Sequence, residues 1–175
     1  MRAGALLALA LALVGCATPP RPGSATTTTF VVVRHAEKLD ASGDPPLSVS
    51  GQARAMQLGA LLGPLRPGAL YTTDFQRTRQ TLAPLARALR MEPVVYDARQ
   101  PAAALAAALK AAHPRGTVVV AGHSNTVPAI VSALCGCATE PMAEDEYDRL
   151  NTIRIDDRGN AVLQVSRYGA TPARP

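Results

Sequence analysis

The chain has 175 residues, of which 47% are hydrophobic and 3% aromatic, and 18 Lys and Arg against 13 Asp and Glu give a formal net charge of +5. This length predicts one compact domain and is too short for a (β/α)8 barrel of ~250 residues, while the hydrophobic content excludes a disordered chain. The modest basic excess and the scarcity of aromatic residues argue against nucleic-acid binding, and nearly all positive charge is arginine, whose planar fork suits phosphate and carboxylate groups.

Residues 1–15 have the pattern of a secretory signal peptide. A basic start precedes residues 3–14, which carry no polar side chain, and this run is shorter than the ~20 residues of a membrane-spanning helix. The sequence Leu-Val-Gly-Cys at 13–16 resembles the lipobox of bacterial lipoproteins, which implies cleavage before Cys16 and lipidation of that cysteine. We therefore expect anchoring in the bacterial cell envelope, facing the periplasm; the outer membrane is preferred because Ala17, not Asp, follows Cys16. An ordinary secreted protein is the alternative.

The rest of the chain divides into a tether, a domain and a tail. Residues 16–28 are rich in Pro and Thr, a composition that does not fold by itself and that predicts a flexible tether. The folded domain is expected over residues 29–168, and residues 169–175 are expected to form a loose tail.

Within the domain, β-branched runs alternate with Ala- and Leu-rich stretches. In chain order these predict a strand at 30–33, a helix at 51–63, a strand at 69–72, a helix from 74 to 90, a strand at 93–96, a helix at 102–112, a strand at 117–121, a helix at 127–134, and strands at 152–155 and 161–166. Ser50 is the expected N-cap of the first helix, and Pro84 is expected to kink or break the second. Such alternation predicts an α/β three-layer sandwich with a mostly parallel central sheet flanked by helices.

Cationic and imidazole side chains cluster at the predicted strand ends. His35 and His123 each follow a Val-rich strand, and ligands of open α/β sheets bind outside the carboxyl ends of the strands. Arg34 adjoins His35, and Arg77 lies in the first turn of a helix, where free backbone N–H groups also favour an anion. Two arginines, two histidines and a helix N-terminus therefore predict a phosphate site.

Four motifs in this order resemble the histidine phosphatase superfamily (branch 1), which has the phosphoglycerate-mutase-like fold. They are Arg-His-Ala-Glu-Lys at 34–38, Leu-Ser-Val-Ser-Gly-Gln-Ala-Arg-Ala at 47–55, Tyr-Thr-Thr at 71–73 with Arg77-Thr78 and Gln80-Thr81, and Gly-His-Ser-Asn at 122–125.

The resemblance implies a phosphatase that needs neither a metal nor an organic cofactor. It assigns His35 as the nucleophile that becomes phosphorylated, and Arg34, Arg77 and His123 as the groups that hold the phosphoryl oxygens. Ser124 and Glu37 are expected to bind substrate as well. The expected substrate is a small phosphorylated molecule or a phosphoprotein.

The chemistry of the residues agrees with these roles. A neutral imidazole can attack phosphorus directly, provided that one ring nitrogen is unprotonated and the other N–H is held, as we expect, by a backbone carbonyl. Fixed cationic donors stabilise the charge that develops on the phosphoryl oxygens. Either histidine alone would more simply be a structural residue at a strand end.

Two departures from the family pattern affect these expectations. Ala36 replaces the usual Gly after the nucleophile, which is acceptable if φ there is negative. Many members donate a proton from a Glu in the segment that corresponds to residues 94–101, where Asp97 is the only acid. Asp97 is therefore the candidate general acid, with a loop-capping role as the equal alternative. Without a good acid the enzyme would favour easy leaving groups, such as phosphohistidine, acyl phosphates or aryl phosphates.

Other functions are less well supported by the sequence. No histidine follows His123, which excludes the chain order of an α/β-hydrolase triad, and no metal-ligand spacing is present. A lipoprotein that binds a phosphorylated ligand without catalysis is the main alternative, because the usual acid is missing. Cys135 and Cys137 are expected to form a structural bridge or to remain free thiols.

Overall fold

The computed structural model describes residues 27–171. The predictions for residues 1–15, for Cys16 and for most of the tether lie outside the described residues, as does the end of the predicted tail. Within residues 27–171, no helix is long and apolar enough to cross a bilayer.

A six-stranded sheet forms the middle layer. Its strands are β1 (Thr28–Arg34), β2 (Ala69–Thr72), β3 (Val94–Val95), β4 (Gly116–Gly122), β5 (Arg149–Ile155) and β6 (Ala161–Arg167). The spatial order is β3-β2-β4-β1-β5-β6; the first four strands run parallel, and β5 and β6 are antiparallel to their neighbours. The expected α/β architecture with a mostly parallel sheet is confirmed.

Two pairs of helices cover the two faces of the sheet. The helices are α1 (Val49–Leu62), α2 (Gln76–Leu89), α3 (Ala102–Ala112) and α4 (Val127–Cys135). Alternate residues of β1 point to opposite faces because side chains alternate along a strand. Val31 and Val33 pack with leucines of α1 and α2, whereas Phe30 and Val32 pack with leucines of α3 and leucine and isoleucine of α4. The sheet is therefore buried on both faces, as its continuous apolar strands indicate.

The start of α1 differs from the prediction. Ser48, not Ser50, is the N-cap, and its Oγ accepts a hydrogen bond of 3.1 Å from the Gly51 N–H. Ser50 lies inside the first turn, where its hydroxyl contacts Ser48 Oγ at 2.9 Å. Serine at either position is a suitable N-cap. The preceding loop favours Ser48 as the cap, because the Ser48 N–H also donates to Glu37 O.

Helix α2 continues through Pro84, so the break that was one of the two expectations there does not occur. An internal proline disfavours a helix by ~3 kcal/mol, but this turn is buried against α1. A Cβ on Gly59 of α1 would lie 3.3 Å from Pro84 Cβ, so the two helices approach closely at this point. Packing therefore outweighs the local preference.

The end of α4 carries a disulfide between Cys135 and Cys137. Gly136 between them has φ +66° and caps the helix in the left-handed conformation, which favours glycine. Of the two expectations for these cysteines, the structure shows the bridge.

Candidate active site

The two predicted strand-end histidines lie side by side. Strands β1 and β4 are parallel neighbours in which Arg34 is paired with Gly122, so His35 and His123 leave the sheet at the same edge. The backbone N–H of His35 donates to Gly122 O at 2.9 Å, and the ring centroids of the two histidines are 5.4 Å apart. The structure thus brings both imidazoles to one cleft, as predicted.

The ring of His35 is held in one tautomer by the backbone carbonyl of the next residue. Its Nδ1 lies 2.7 Å from Ala36 O, and because a carbonyl only accepts, Nδ1 carries the proton and Nε2 keeps its lone pair. His35 is 4% exposed, and this burial, opposed by the Ala36 hydrogen bond and assisted by the positive charges of Arg34, His123 and Arg77, lowers its pKa from 6.5 to about 3. The imidazole is therefore neutral, as a phosphorus nucleophile requires.

The backbone at Ala36 is compatible with a residue other than glycine. Among described residues other than glycine, positive φ occurs only at Arg66 and Arg90, so the backbone at Ala36 does not need glycine. Its N–H donates to Thr81 Oγ1 at 2.9 Å. This bond explains the threonine in the third motif: it fixes the peptide that orients His35.

His123 is held by a relay of threonine hydroxyls. Its Nε2 lies 3.0 Å from Thr73 Oγ1, which lies 2.7 Å from Thr78 Oγ1. Burial, with the positive charges of Arg77 and Arg34, lowers the pKa of His123 to about 4. In the free cleft it is therefore neutral.

Arg34 is 1% exposed and only partly satisfied. Its Nη1 donates to the carbonyl oxygens of Ala143 and Glu144 at 3.0 and 2.9 Å, and its Nη2 donates to Glu144 Oε2 at 3.1 Å. Its Nε is buried and has no hydrogen-bond partner within residues 27–171. Because Nε and Nη2 form one edge of the planar guanidinium, that edge presents an unsatisfied donor suited to an anionic oxygen.

Arg77 lies in the first turn of α2, as predicted. Its Nη1 is 3.6 Å from Asp44 Oδ1, and its guanidinium carbon lies 4.3 Å from the Phe75 ring centroid. Asp44 Oδ1 also accepts from the Gln76 N–H at 2.9 Å, so this carboxylate caps the helix and positions the arginine. Burial lowers the pKa of Arg77, with the charge of Asp44 opposing.

These groups line a cleft of about 340 Å³. The described residues around it are Arg34, His35, Lys38, Phe75, Arg77, Ala98, Arg99, His123, Ser124, Asn125, Thr126 and Glu144. Four of them are Arg or Lys and only one is an acid, so the cleft favours anions. Ser124 lines it as predicted and donates to Glu144 Oε1 at 2.8 Å.

Two acids predicted as site residues lie outside the cleft lining. Asp97 does not line the cleft; its Oδ1 accepts from the N–H and Nε of Arg99 at 2.9 and 3.2 Å, and these bonds lower its pKa. Its geometry is that of the loop-capping alternative. Glu37, expected to bind substrate, also lies outside the cleft lining and forms a paired ion contact with Arg54 at 2.7 to 3.0 Å.

Two charged residues of the cleft, Arg99 and Glu144, lie outside the four motifs and were not predicted from the sequence. Glu144 belongs to an acidic run that is typical of a solvated surface, and Arg99 lies in a loop without a motif. The residues around each of them do not indicate a binding site. Each lies in a loop that is distant in sequence from His35 and reaches the cleft only in the folded chain. Within residues 27–171 no cluster of three or more His, Cys, Asp or Glu has the arrangement of a metal site.

The chain resembles known proteins in part of its sequence and in its fold. Residues 30–100 match the sequence model of the Histidine phosphatase superfamily (branch 1). Comparison with curated proteins gives no match. The fold is similar to that of the protein histidine phosphatase SixA complexed with tungstate, at 22% identity and a TM-score of 0.67, over 79% of this chain and 96% of that one.

It is also similar to a mycobacterial glucosyl-3-phosphoglycerate phosphatase, at 14% identity and a TM-score of 0.65, over 82% of this chain and 99% of that one. At these identities the likeness shows the phosphoglycerate-mutase-like α/β fold. The family model matches residues 30–100 of this chain, and the fold agrees with that match.

Proposed function

We propose that this protein is a metal-independent phosphatase that hydrolyses phosphate monoesters or phosphoramidates through a phosphohistidine at His35. The observation that carries the proposal is the pairing of two groups at one strand end. His35 presents an unprotonated Nε2, and the neighbouring Arg34 presents a buried Nε–H without a partner among the described residues. A phosphoryl group satisfies both, since phosphorus accepts the lone pair and a phosphoryl oxygen accepts the hydrogen bond.

The first half of the reaction is transfer of the phosphoryl group to His35. The Nε2 lone pair attacks phosphorus and the bond to the leaving atom breaks in line with it. Arg34 and Arg77 stabilise the charge on the equatorial oxygens, and the N-terminus of α2 adds a favourable dipole. His123 is neutral in the free cleft, and a phosphoryl dianion beside it raises its pKa, which strengthens its contact with the anion.

The second half is hydrolysis of the phosphohistidine. Water attacks phosphorus, the N–P bond breaks, and the electron pair returns to Nε2. Since the Nδ1–H bond to Ala36 O persists throughout, the ring needs no reorientation between the two halves.

The cleft and the similar structures support two classes of substrate. The similar structures include a protein histidine phosphatase and a glucosyl-3-phosphoglycerate phosphatase, so both a phosphoprotein and a small phosphorylated molecule fall within the proposal. The cationic lining supports an anionic substrate of either kind.

Hydrolysis of p-nitrophenyl phosphate in EDTA, by wild type and by His35→Ala, tests the proposal. We expect turnover that survives EDTA and disappears in the variant. Turnover that persists in His35→Ala contradicts the mechanism. No turnover in wild type, together with a rise in Tm on addition of phosphate, would instead support the non-catalytic binding protein, which the absence of Asp97 from the cleft favours.

We also propose that the mature protein is attached to the envelope membrane through Cys16, on the strength of the lipobox at 13–16. Incorporation of a labelled fatty acid tests this. Wild type and Cys135→Ser should carry the label and fractionate with membranes, whereas Cys16→Ser should do neither. Label in Cys16→Ser contradicts the anchor.

A further inference from the structure

We propose that Glu144 donates the proton to the leaving group. This proposal rests on the proposed phosphatase function and assigns the general acid that residues 94–101 do not provide. The structural basis is a juxtaposition: Glu144 is the sole carboxylate among the described residues that line the cleft containing His35.

The carboxylate is tied to both strands that carry the reacting groups. Its Oε1 accepts from Ser124 Oγ at 2.8 Å, and Ser124 directly follows His123. Its Oε2 accepts from Arg34 Nη2 at 3.1 Å, and Arg34 directly precedes His35. Glu144 therefore lies next to the edge of Arg34 on which the free Nε–H is found, beside the expected position of the phosphoryl group.

The backbone that carries Glu144 is anchored, while its side chain remains accessible. Arg34 Nη1 holds the carbonyl oxygens of Ala143 and Glu144, and Glu146 forms an ion pair of 2.7 Å with Arg149. The Glu144 side chain itself is 80% exposed. It therefore stands at the solvent mouth of the cleft, which is the side from which a leaving group departs.

The carboxylates of the other nearby acids are bonded to other groups. Asp97 is bonded to Arg99, Glu37 is paired with Arg54, and Asp44 caps α2. Because a general acid must come within hydrogen-bond reach of the leaving atom, these three acids are poorly placed for the role.

The charge on Glu144 depends on what occupies the cleft. The hydrogen bond from Ser124, opposed by burial and assisted by the charges of Arg34 and Lys38, lowers its pKa in the free protein. A phosphoryl dianion on the free edge of Arg34 places negative charge beside the carboxylate and raises its pKa. Substrate binding is thus accompanied by protonation of Glu144, which then carries the proton that the leaving group takes.

The proton balance of the proposed step is complete. His35 Nε2 forms the N–P bond, the bond from phosphorus to the leaving oxygen breaks, and that oxygen takes the proton of Glu144. In the second half, the Glu144 carboxylate takes a proton from the attacking water as the N–P bond breaks. The alcohol and phosphate leave, and both side chains return to their starting states.

Comparison of Glu144→Gln with wild type on two aryl phosphates tests this role. For p-nitrophenyl phosphate, a good leaving group, we expect kcat/KM to fall less than ~10-fold; for phenyl phosphate, a poorer one, we expect a fall of ~10²-fold or more. The decline of kcat for phenyl phosphate with rising pH, caused by deprotonation of Glu144 in the substrate complex, should also be lost. Asp145→Asn, which changes an adjacent acid outside the cleft lining, should match wild type.

Two results would overturn the proposal. An equal loss on both substrates would show that Glu144 only positions Arg34, and an unchanged or increased kcat/KM on both would show that the carboxylate only competes with the substrate for Arg34. Failure of the phosphatase function is distinguishable, because it appears as an inactive wild type or an active His35→Ala.

Discussion

His35 and His123 are uncharged because they are buried among arginines. His35 is 4% exposed and His123 8% exposed, and their pKa values are lowered to about 3 and about 4. A histidine in water titrates near pH 6.5 and would be partly charged under physiological conditions. The fold thus keeps the proposed nucleophile uncharged, and the positive charge of the cleft comes from arginine and lysine instead.

This burial makes stability depend on pH. The unfolded chain protonates these histidines below about pH 6.5, but the folded protein does so only below about pH 4 for His123 and about pH 3 for His35. Between these limits the unfolded state binds more protons, so stability is full above pH 6.5 and falls as pH is lowered, by about 2 kcal/mol per histidine down to pH 5.

Urea denaturation at pH 7 and pH 5, on wild type and His35→Asn, measures this dependence. The variant should lose about 2 kcal/mol less than wild type between the two pH values, because one lowered pKa has been removed. Equal losses would mean that His35 does not contribute.

Arg77 and Arg79 provide a matched pair on one helix. Arg77 lines the cleft, whereas Arg79 forms an exposed ion pair with Asp74. Arg77→Ala removes a preorganised donor, and we expect kcat/KM for p-nitrophenyl phosphate to fall by ~10²-fold or more. Arg79→Ala should remain within a few-fold of wild type. Similar losses in both variants would argue against a specific role of Arg77.

The cleft residues differ in how far their positions could be predicted. Arg34, His35 and His123 were predictable because each lies at the end of a strongly apolar strand. The partner of Asp97 was not, since nothing in the sequence shows whether an acid in a loop bonds the next cation or points into a crevice. Glu144 was missed because its acidic run is typical of solvent-exposed segments.

Helix α1 packs against the loop that follows β1, at Glu37. Gly51 lies in its first turn, and a Cβ at this position would be 2.1 Å from Glu37 O. The glycine in the second motif is thus required by close approach of two backbones. The N-cap of α1 and the course of α2 through Pro84 could not be read from local preference, because tertiary contacts decide both.

Gly51→Ala should therefore destabilise the protein by about 1–3 kcal/mol, since Glu37 or the helix must move to admit the methyl group. The same substitution at Gly63, where a Cβ meets no described atom within 4 Å and φ is −53°, should be neutral or stabilising. Urea midpoints of the two variants give the comparison. Equal midpoints would contradict the close approach.

The order of the strands determines which residues meet in the cleft. Because β1 and β4 are adjacent and parallel, residues from distant parts of the sequence meet at one edge of the sheet. Arg54 reinforces this arrangement, since it pairs with Glu37 and also donates to the carbonyl oxygens of Tyr168 and Ala170. One buried arginine thus ties the loop after β1 to α1 and to the C-terminal end of the domain.

The overall architecture was predictable because long apolar strands alternate with helices of clear pattern. The strand order was not, since it depends on which faces the helices cover. The strand order matters for the proposed function, because a different order would separate His35 from His123.

The proposed mechanism requires phosphate to be bound covalently to His35 during turnover. The most direct measurement is to quench wild type and His35→Ala during turnover of a radiolabelled phosphoryl donor, and to map the label by peptide analysis. We expect an acid-labile, alkali-stable label on the peptide that contains His35, and no label in the variant. Label on any other residue, or turnover without a labelled protein, would contradict it.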